Sequence, residues 1–307
     1  VAVGANALDA NTTANNNTAV GYNAAGATTT GARNSAFGQS SLLVNTTGEQ
    51  NTAIGNSSLS SNTTASNNVG VGHNSLAANT TGAENVAVGG SALDANTTGN
   101  SNNAFGFESL TSNTTASNNT AFGHKTLFAN TTGAENVALG AEALDSNTTS
   151  NYNTAIGYAA GKNNTSGGPW TFVGWQAGFN KGDGGSGNGT AVGYQALFAS
   201  GGPLRNTAVG YQALYNTTNY GDNNTGVGHQ ALKENTSGEK NIAIGTYAVI
   251  SNTTGDKNIG IGYQALKACT TGVNNVCIGD DAGNGITTGD GNIFIGKGVA
   301  DGGSFST

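Results

Sequence analysis

Methionine is absent from the 307 residues, and proline and cysteine occur only twice each. Charged residues make up 9%, for a net charge of −7, so the basic footprint of a nucleic-acid binder is missing. No run of 18 apolar residues occurs, so no membrane-spanning helix is predicted. Two prolines and glycines off any three-residue period exclude collagen. All three histidines fall in one column of a repeat described below. His73 and His124 are three repeats apart, roughly 14 Å at the usual strand spacing, against the ~2 Å of a shared metal bond. No metal site and no cofactor are therefore predicted. No recurring Ser-His-Asp spacing, Cys-x-x-Cys or phosphate loop is present, so no catalytic residue and no enzyme is predicted. Asp94, Asp145 and Glu142 stand singly. Asp280, Asp281 and Asp290 cluster, but without the Gly-Gly-x-Gly-x-Asp period of calcium β-rolls. No carboxylate pair suggests a glycan-cleaving site. Low charge and abundant Asn and Thr are associated with extracellular proteins, so a cell-surface or virion location is expected.

What the chain does have is a repeat. A glycine after a hydrophobic residue recurs at Gly4, Gly21, Gly38 and every 17 residues to Gly174, then at Gly193, Gly210, Gly228 and every 17 to Gly296. That makes 18 copies. Numbering Asn119 as position 1 puts the fixed glycine, Gly123, at position 5. Position 1 is mostly Asn, position 2 Thr, Val or Ile, position 3 Ala or Gly, and position 4 always Val, Ile, Phe or Leu. Position 9 is mostly Leu, and positions 12 to 15 read Asn-Thr-Thr-Gly or a close variant. Gly, Asn and β-branched residues are poor helix formers. The reading is an all-β parallel β-solenoid of 18 coils, a rod roughly 85 Å long at about 4.8 Å per rung. One coil cannot stand alone: ordering its backbone costs on the order of 17 to 34 kcal/mol, so stacking must supply the balance. An Asn ladder at position 1 and a strained corner at the position 5 glycine are expected. The core is expected at positions 2, 4 and 9, with position 3 outward.

The chain opens inside a repeat, and it is expected to be a stretch of a longer polypeptide. Residues 1–161 are regular coils. Residues 162–190 are an irregular Gly- and aromatic-rich coil and loop, with Pro169, Trp170, Lys181 and Asp183. Residues 191–298 are coils again, with a smaller irregularity near Pro203, and 299–307 form a tail or cap. Cys269 and Cys277 are eight apart, and read either as a disulfide or as two small apolar residues.

Three surface readings follow. Position 6 carries rings, among them Tyr158, Trp175, Tyr194 and Tyr211. With Trp170 and Phe179 they are candidates for contact with a cell surface or glycan; the alternatives are an inter-chain contact or a ladder that merely covers the corner and, for the aromatics of 162–190, a local repacking of the core where the repeat is broken. The small residues at position 3, Ala121, Ala138 and Ala155, suggest either close packing against another chain or a narrow interior. The threonine columns Thr97 and Thr98, Thr131 and Thr132 raise an ice-binding reading. The same segments spell Asn-x-Thr at Asn11, Asn45, Asn62, Asn79, Asn96, Asn113, Asn130 and Asn147, either glycosylation acceptors or turn residues.

The segments Asn206-Thr-Ala-Val-Gly-Tyr-Gln-Ala-Leu214, Asn153-Thr-Ala-Ile-Gly157 and Asn258-Ile-Gly-Ile-Gly-Tyr-Gln-Ala-Leu266 resemble the head repeats of trimeric autotransporter adhesins. They resemble still more the corresponding repeats of phage tail-fibre and related surface-fibre proteins. The resemblance implies a parallel β-roll, a trimer and attachment to host surfaces. The expected function is a non-enzymatic structural or adhesive segment of an extracellular fibre. A homo-oligomer is expected, trimer favoured and head-to-tail filament possible, with a surface glycan or protein as receptor. An ice-binding solenoid is the alternative.

Overall fold

A computed structural model describes residues 1–180, 187–199, 201, 205–218 and 220–299. The molecule is all-β, a solenoid of 18 short parallel strands with about 17 residues per turn and no helix among the described residues. It falls into two compact units, Val1–Tyr152 and Asn153–Thr307, with nine strands in each. Pro203, Lys181, Asp183 and residues 300–307 lie outside the described residues.

In the first unit the strands run from Ala2–Val3 to Val137–Leu139 and pair at an offset of one repeat, so Thr120, Ala121 and Phe122 face Val137, Ala138 and Leu139. In the second they run from Thr154–Ile156 to Ile293–Ile295. There the 19-residue repeat still aligns Phe172 with Ala191, and the 18-residue repeat aligns Ala208 with Gly226. The extra residues are thus taken up between strands, and the register survives.

The strands face the opposite way to the sequence expectation. Position 3 points inward: Ala121, Ala138 and Ala155 are fully buried. Positions 2 and 4 point outward, with Phe122 53% and Leu139 44% exposed. The reason is the width of the lumen. In the coil starting at Asn119 the buried side chains are Asn119, Ala121, Thr126, Leu127 and Asn130. Two Asn side chains and a Leu fill so narrow a coil that only Ala or Gly fits opposite them. A methyl group added at Gly260, a position 3 glycine, would come within 2.5 Å of Val249 Cγ2. Where position 3 is large, position 9 shrinks: Gly178 makes room for the Phe172 ring, and Gly283 for Cys277. The interior keeps its volume while exchanging which side fills it.

Backbone pairing alternates up and down the stack. In one coil Thr120, Leu127, Ala129 and Thr131 donate to the following coil, and Gly123, Lys125 and Glu135 to the preceding one, at 2.7 to 3.2 Å. That dense pairing holds non-glycine residues in the left-handed region at three places per turn, as at Lys125 (φ 53°), Leu127 (φ 51°) and Glu135 (φ 58°). Such conformations cost roughly 1 to 2 kcal/mol each in an unconstrained chain. Position 5 is stricter. Its φ lies between 124° and 142° in all 18 copies, and a Cβ on Gly174 would sit 2.7 Å from the Gly193 carbonyl carbon. Glycine there is required both by conformation and by the close approach of the next coil.

Two asparagine ladders line the interior. At position 1, Asn102 Oδ1 accepts the Asn119 backbone N–H (3.0 Å), and Asn102 Nδ2 crosses the coil to donate to Ala116 O (2.8 Å). At position 12, Asn113 Nδ2 donates to Asn96 Oδ1 (3.0 Å) and to Ala116 O (3.1 Å). The first ladder matches the expectation; the second occupies the Asn-Thr-Thr-Gly turn.

Candidate interaction surfaces

Three outward features remain once the interior is assigned. The first is the strand face. Its columns at positions 2 and 4 expose Phe37, Ile54, Phe122, Val137 and Leu139 in the first unit, and Ile156 and Ile244 in the second. Most of the large β-branched and aromatic strand residues lie on this surface, with Trp170 and Phe172 as buried exceptions. Phe105 and Phe122 stack along it with ring centroids 5.2 Å apart. Ala121, Ala138 and Ala155, expected as an oligomer contact, lie beneath this face and are sealed inside the coil. They are not available to a neighbouring chain.

The second feature is an aromatic ladder in the second unit. Tyr158, Trp175, Tyr194 and Tyr211 are brought together, each stacked on the next with centroids 6.0, 4.8 and 5.2 Å apart, and His229 continues the stack at 4.9 Å. Interplanar angles are 22° at the first step and 7° to 8° beyond it, so neighbouring rings cover one another's faces and present their edges to solvent. The platform of exposed ring faces that sugar stacking would use is therefore absent along this run. Phe179 belongs to a separate, half-buried ladder with Phe198 and Tyr215, at 5.2 and 5.0 Å. Trp170 does not join either. It is 1% exposed and stacks on buried Phe172 at 5.5 Å, so its candidacy as a surface residue is corrected to a core role. The break in the repeat had made it look like part of a loop; it begins the strand Trp170–Val173.

A glutamine ladder runs beside the rings. Gln195 Nε2 donates to Gln176 Oε1 (3.1 Å), Gln212 Nε2 to Gln195 Oε1 (3.0 Å) and Gln230 Nε2 to Gln212 Oε1 (3.0 Å). Each of these glutamines also donates its backbone N–H to the ring-bearing residue of the preceding coil, as Gln195 does to Trp175 O (2.9 Å). Sequence reasoning passed over this column and over Phe198 and Tyr215. The signal was the recurrent Tyr-Gln-Ala-Leu, in which Gln holds a fixed place one residue after the ring.

The third feature is the pair of threonine columns. Thr97 and Thr131 are half-buried, and their hydroxyls donate to Thr114 O and Thr148 O at 3.0 Å. Thr98 and Thr132 are exposed. The sequons at Asn45, Asn62, Asn79, Asn96, Asn113, Asn130 and Asn147 place their asparagines inside the coil, fully buried, so the turn reading holds for them; Asn11 is exposed.

The remaining polar groups are dispersed. Asp280 pairs with Lys297 (3.4 Å), Asp281 accepts from Asn284 (3.2 Å), and Asp290 accepts the Val273 N–H (2.8 Å). Among the described residues no three His, Cys, Asp or Glu side chains gather as a metal site would need. Asp222 is pushed up by burial, but hydrogen bonds from Arg205 and from the Asn223 N–H outweigh this and hold it below its ordinary range. Cys269 and Cys277 are buried, free thiols. Burial pushes them up to about 11 and about 12, so both stay protonated at neutral pH. A shallow depression of about 560 Å³ over the first coils, lined by Asn6, Asp9, Asn23, Gly26 and Leu43, carries a single carboxylate. No helix among the described residues is long and apolar enough to cross a membrane. No protein-family model matches the chain, and no curated protein matches it in sequence.

Proposed function

We propose that the chain is a structural and adhesive segment of an extracellular fibre, on a cell surface or a virion, whose copies associate through the outward strand face. One observation carries the reading: position 4 is a large apolar residue in every coil, yet it lies on the outside. Covering the exposed half of a side chain such as Phe122 contributes about 1 kcal/mol, and the contribution recurs at the other half-exposed rungs, Phe37, Ile54, Leu139, Ile156 and Ile244 among them. Long exposed apolar stripes on a soluble chain mark interaction surfaces. The likeness of Asn206–Leu214 to adhesin-head and tail-fibre repeats favours three chains. The sheet supplies stiffness, because within each unit the described coils are bonded to their neighbours.

The test is sedimentation velocity of the wild-type chain beside a Phe122→Ser, Leu139→Ser variant. Both changes are on the surface, so the fold should survive them while association weakens. A variant that sediments like the wild type would overturn the assignment of this face. The second reading, an ice-binding face, draws on the exposed column of Thr98 and Thr132. It is weakened because the neighbouring hydroxyls of Thr97 and Thr131 are already committed to backbone carbonyls. Strong recrystallisation inhibition, lost on replacing the exposed threonines, would favour it.

A further inference from the structure

We propose that the aromatic and glutamine ladders of the second unit form a strip that binds a linear, β-linked polysaccharide laid along the coil stack. This specifies the attachment half of the fibre reading and rests on it. The argument starts from the period. Trp175, Tyr194 and Tyr211 repeat at 4.8 to 5.2 Å, and Gln176, Gln195 and Gln212 repeat beside them. A ligand that makes the same contact at every rung must share that period. An extended peptide rises about 3.3 Å per residue and loses step after one rung. Single-stranded nucleic acid needs exposed ring faces for its bases and a basic groove; here the faces are covered and the chain is acidic. A β-linked chain of six-membered sugar rings advances by about one ring length per residue, close to the rung spacing.

The chemistry on offer fits the same ligand. Gln195 and Gln212 each spend one amide hydrogen and one acceptor site within the ladder, and keep a second hydrogen and further lone pairs for a partner. The tyrosines Tyr194 and Tyr211 are 42% exposed and end in hydroxyls. Aromatic edges carry positive charge and suit the oxygens of a sugar, whereas the negative faces are spent on one another. The strip is thus a periodic comb of donors and acceptors on a rigid support. Its order costs nothing on binding, because the side chains are already held in register.

The test uses soluble chitohexaose and cellohexaose, with α-linked maltohexaose as the control, in calorimetric titrations of the intact protein. A β-linked hexasaccharide should bind, and maltohexaose should not. Affinity should rise with chain length to about four sugars and then level off, since four glutamines span the strip at the rung spacing. Tyr194→Phe and Tyr211→Phe keep the stack and remove only the hydroxyls, and each should weaken binding roughly three- to tenfold. Gln212→Met interrupts the amide comb and should do the same. Failure of both β-linked hexasaccharides to bind at millimolar concentration would overturn the proposal. So would equal binding of maltohexaose, or affinity unchanged in all three variants. Chain association is read separately by mass, so loss of this proposal leaves that reading standing.

Discussion

Asn102→Ala removes one rung of the buried position 1 ladder, and its cost can be worked from the bonds around it. Asn102 Oδ1 accepts the Asn119 N–H at 3.0 Å and Asn119 Nδ2 at 3.3 Å; Asn102 Nδ2 donates to Ala116 O at 2.8 Å and Asn85 Oδ1 at 3.2 Å. Not all these partners are stranded. Ala116 O keeps Asn113 Nδ2, Asn85 Oδ1 keeps the residue 102 N–H, and Asn119 Nδ2 keeps Gly133 O. The Asn119 N–H loses its acceptor inside the coil. One buried orphan costs about 1 to 3 kcal/mol, and the other lost bonds about 0.5 to 1.5 kcal/mol each. The local loss is therefore about 2.5 to 7.5 kcal/mol. Thr98→Ala, nearby in the chain and exposed, should fall within about 0.5 kcal/mol of wild type. Repeat arrays need not open as one unit, so the assay is native-state hydrogen exchange at Asn119 and in the neighbouring coils. Faster exchange there in Asn102→Ala, with Thr98→Ala unchanged, is expected. Equal effects of the two changes would refute the claim that the interior asparagines hold the coils together.

Other perturbations probe the packing and the thiols. Phe172→Ala should destabilise by about 3 to 5 kcal/mol, and Gly178→Leu should clash with the ring, yet the two together should recover part of the loss in thermal unfolding. The backbone permits that exchange, because Gly178 (φ 62°) lies near the conformation that Leu127 (φ 51°) already adopts at the same position. Thr28 interrupts the position 12 ladder and leaves its buried Oγ1 without a partner; Thr28→Asn should raise stability by about 1 to 3 kcal/mol, measured by denaturant melts. Cys269 and Cys277 should resist alkylation at neutral pH and react only in denaturant, as counted by a thiol-specific reagent; the raised values mean reactivity grows only as pH approaches about 11 to 12.

The fold was legible because the corner glycine recurs in all 18 copies, and a glycine fixed at one step of every turn marks a corner that no other residue can take. The orientation of the strands was not. A three-residue strand offers one residue to one side and two to the other, and the usual rule sends the larger pair inside. Here Leu127, Asn119 and Asn130 already fill the lumen, so Ala121 takes the inner place and Thr120 and Phe122 go out. The fixed offset from the corner glycine placed Tyr158, Trp175, Tyr194 and Tyr211 in one column, as observed. It could not say that their planes would stack and hide the ring faces. Trp170 was misplaced because it replaces the usual Asn at position 1, where the regular pattern lapses.

Whether the outward apolar strand face joins copies of the chain is decided most plainly by the mass of the wild-type protein, measured by light scattering across a range of concentrations. About three times the 30.3 kDa of one chain is expected. A mass of 30.3 kDa that persists at high concentration would contradict the assignment.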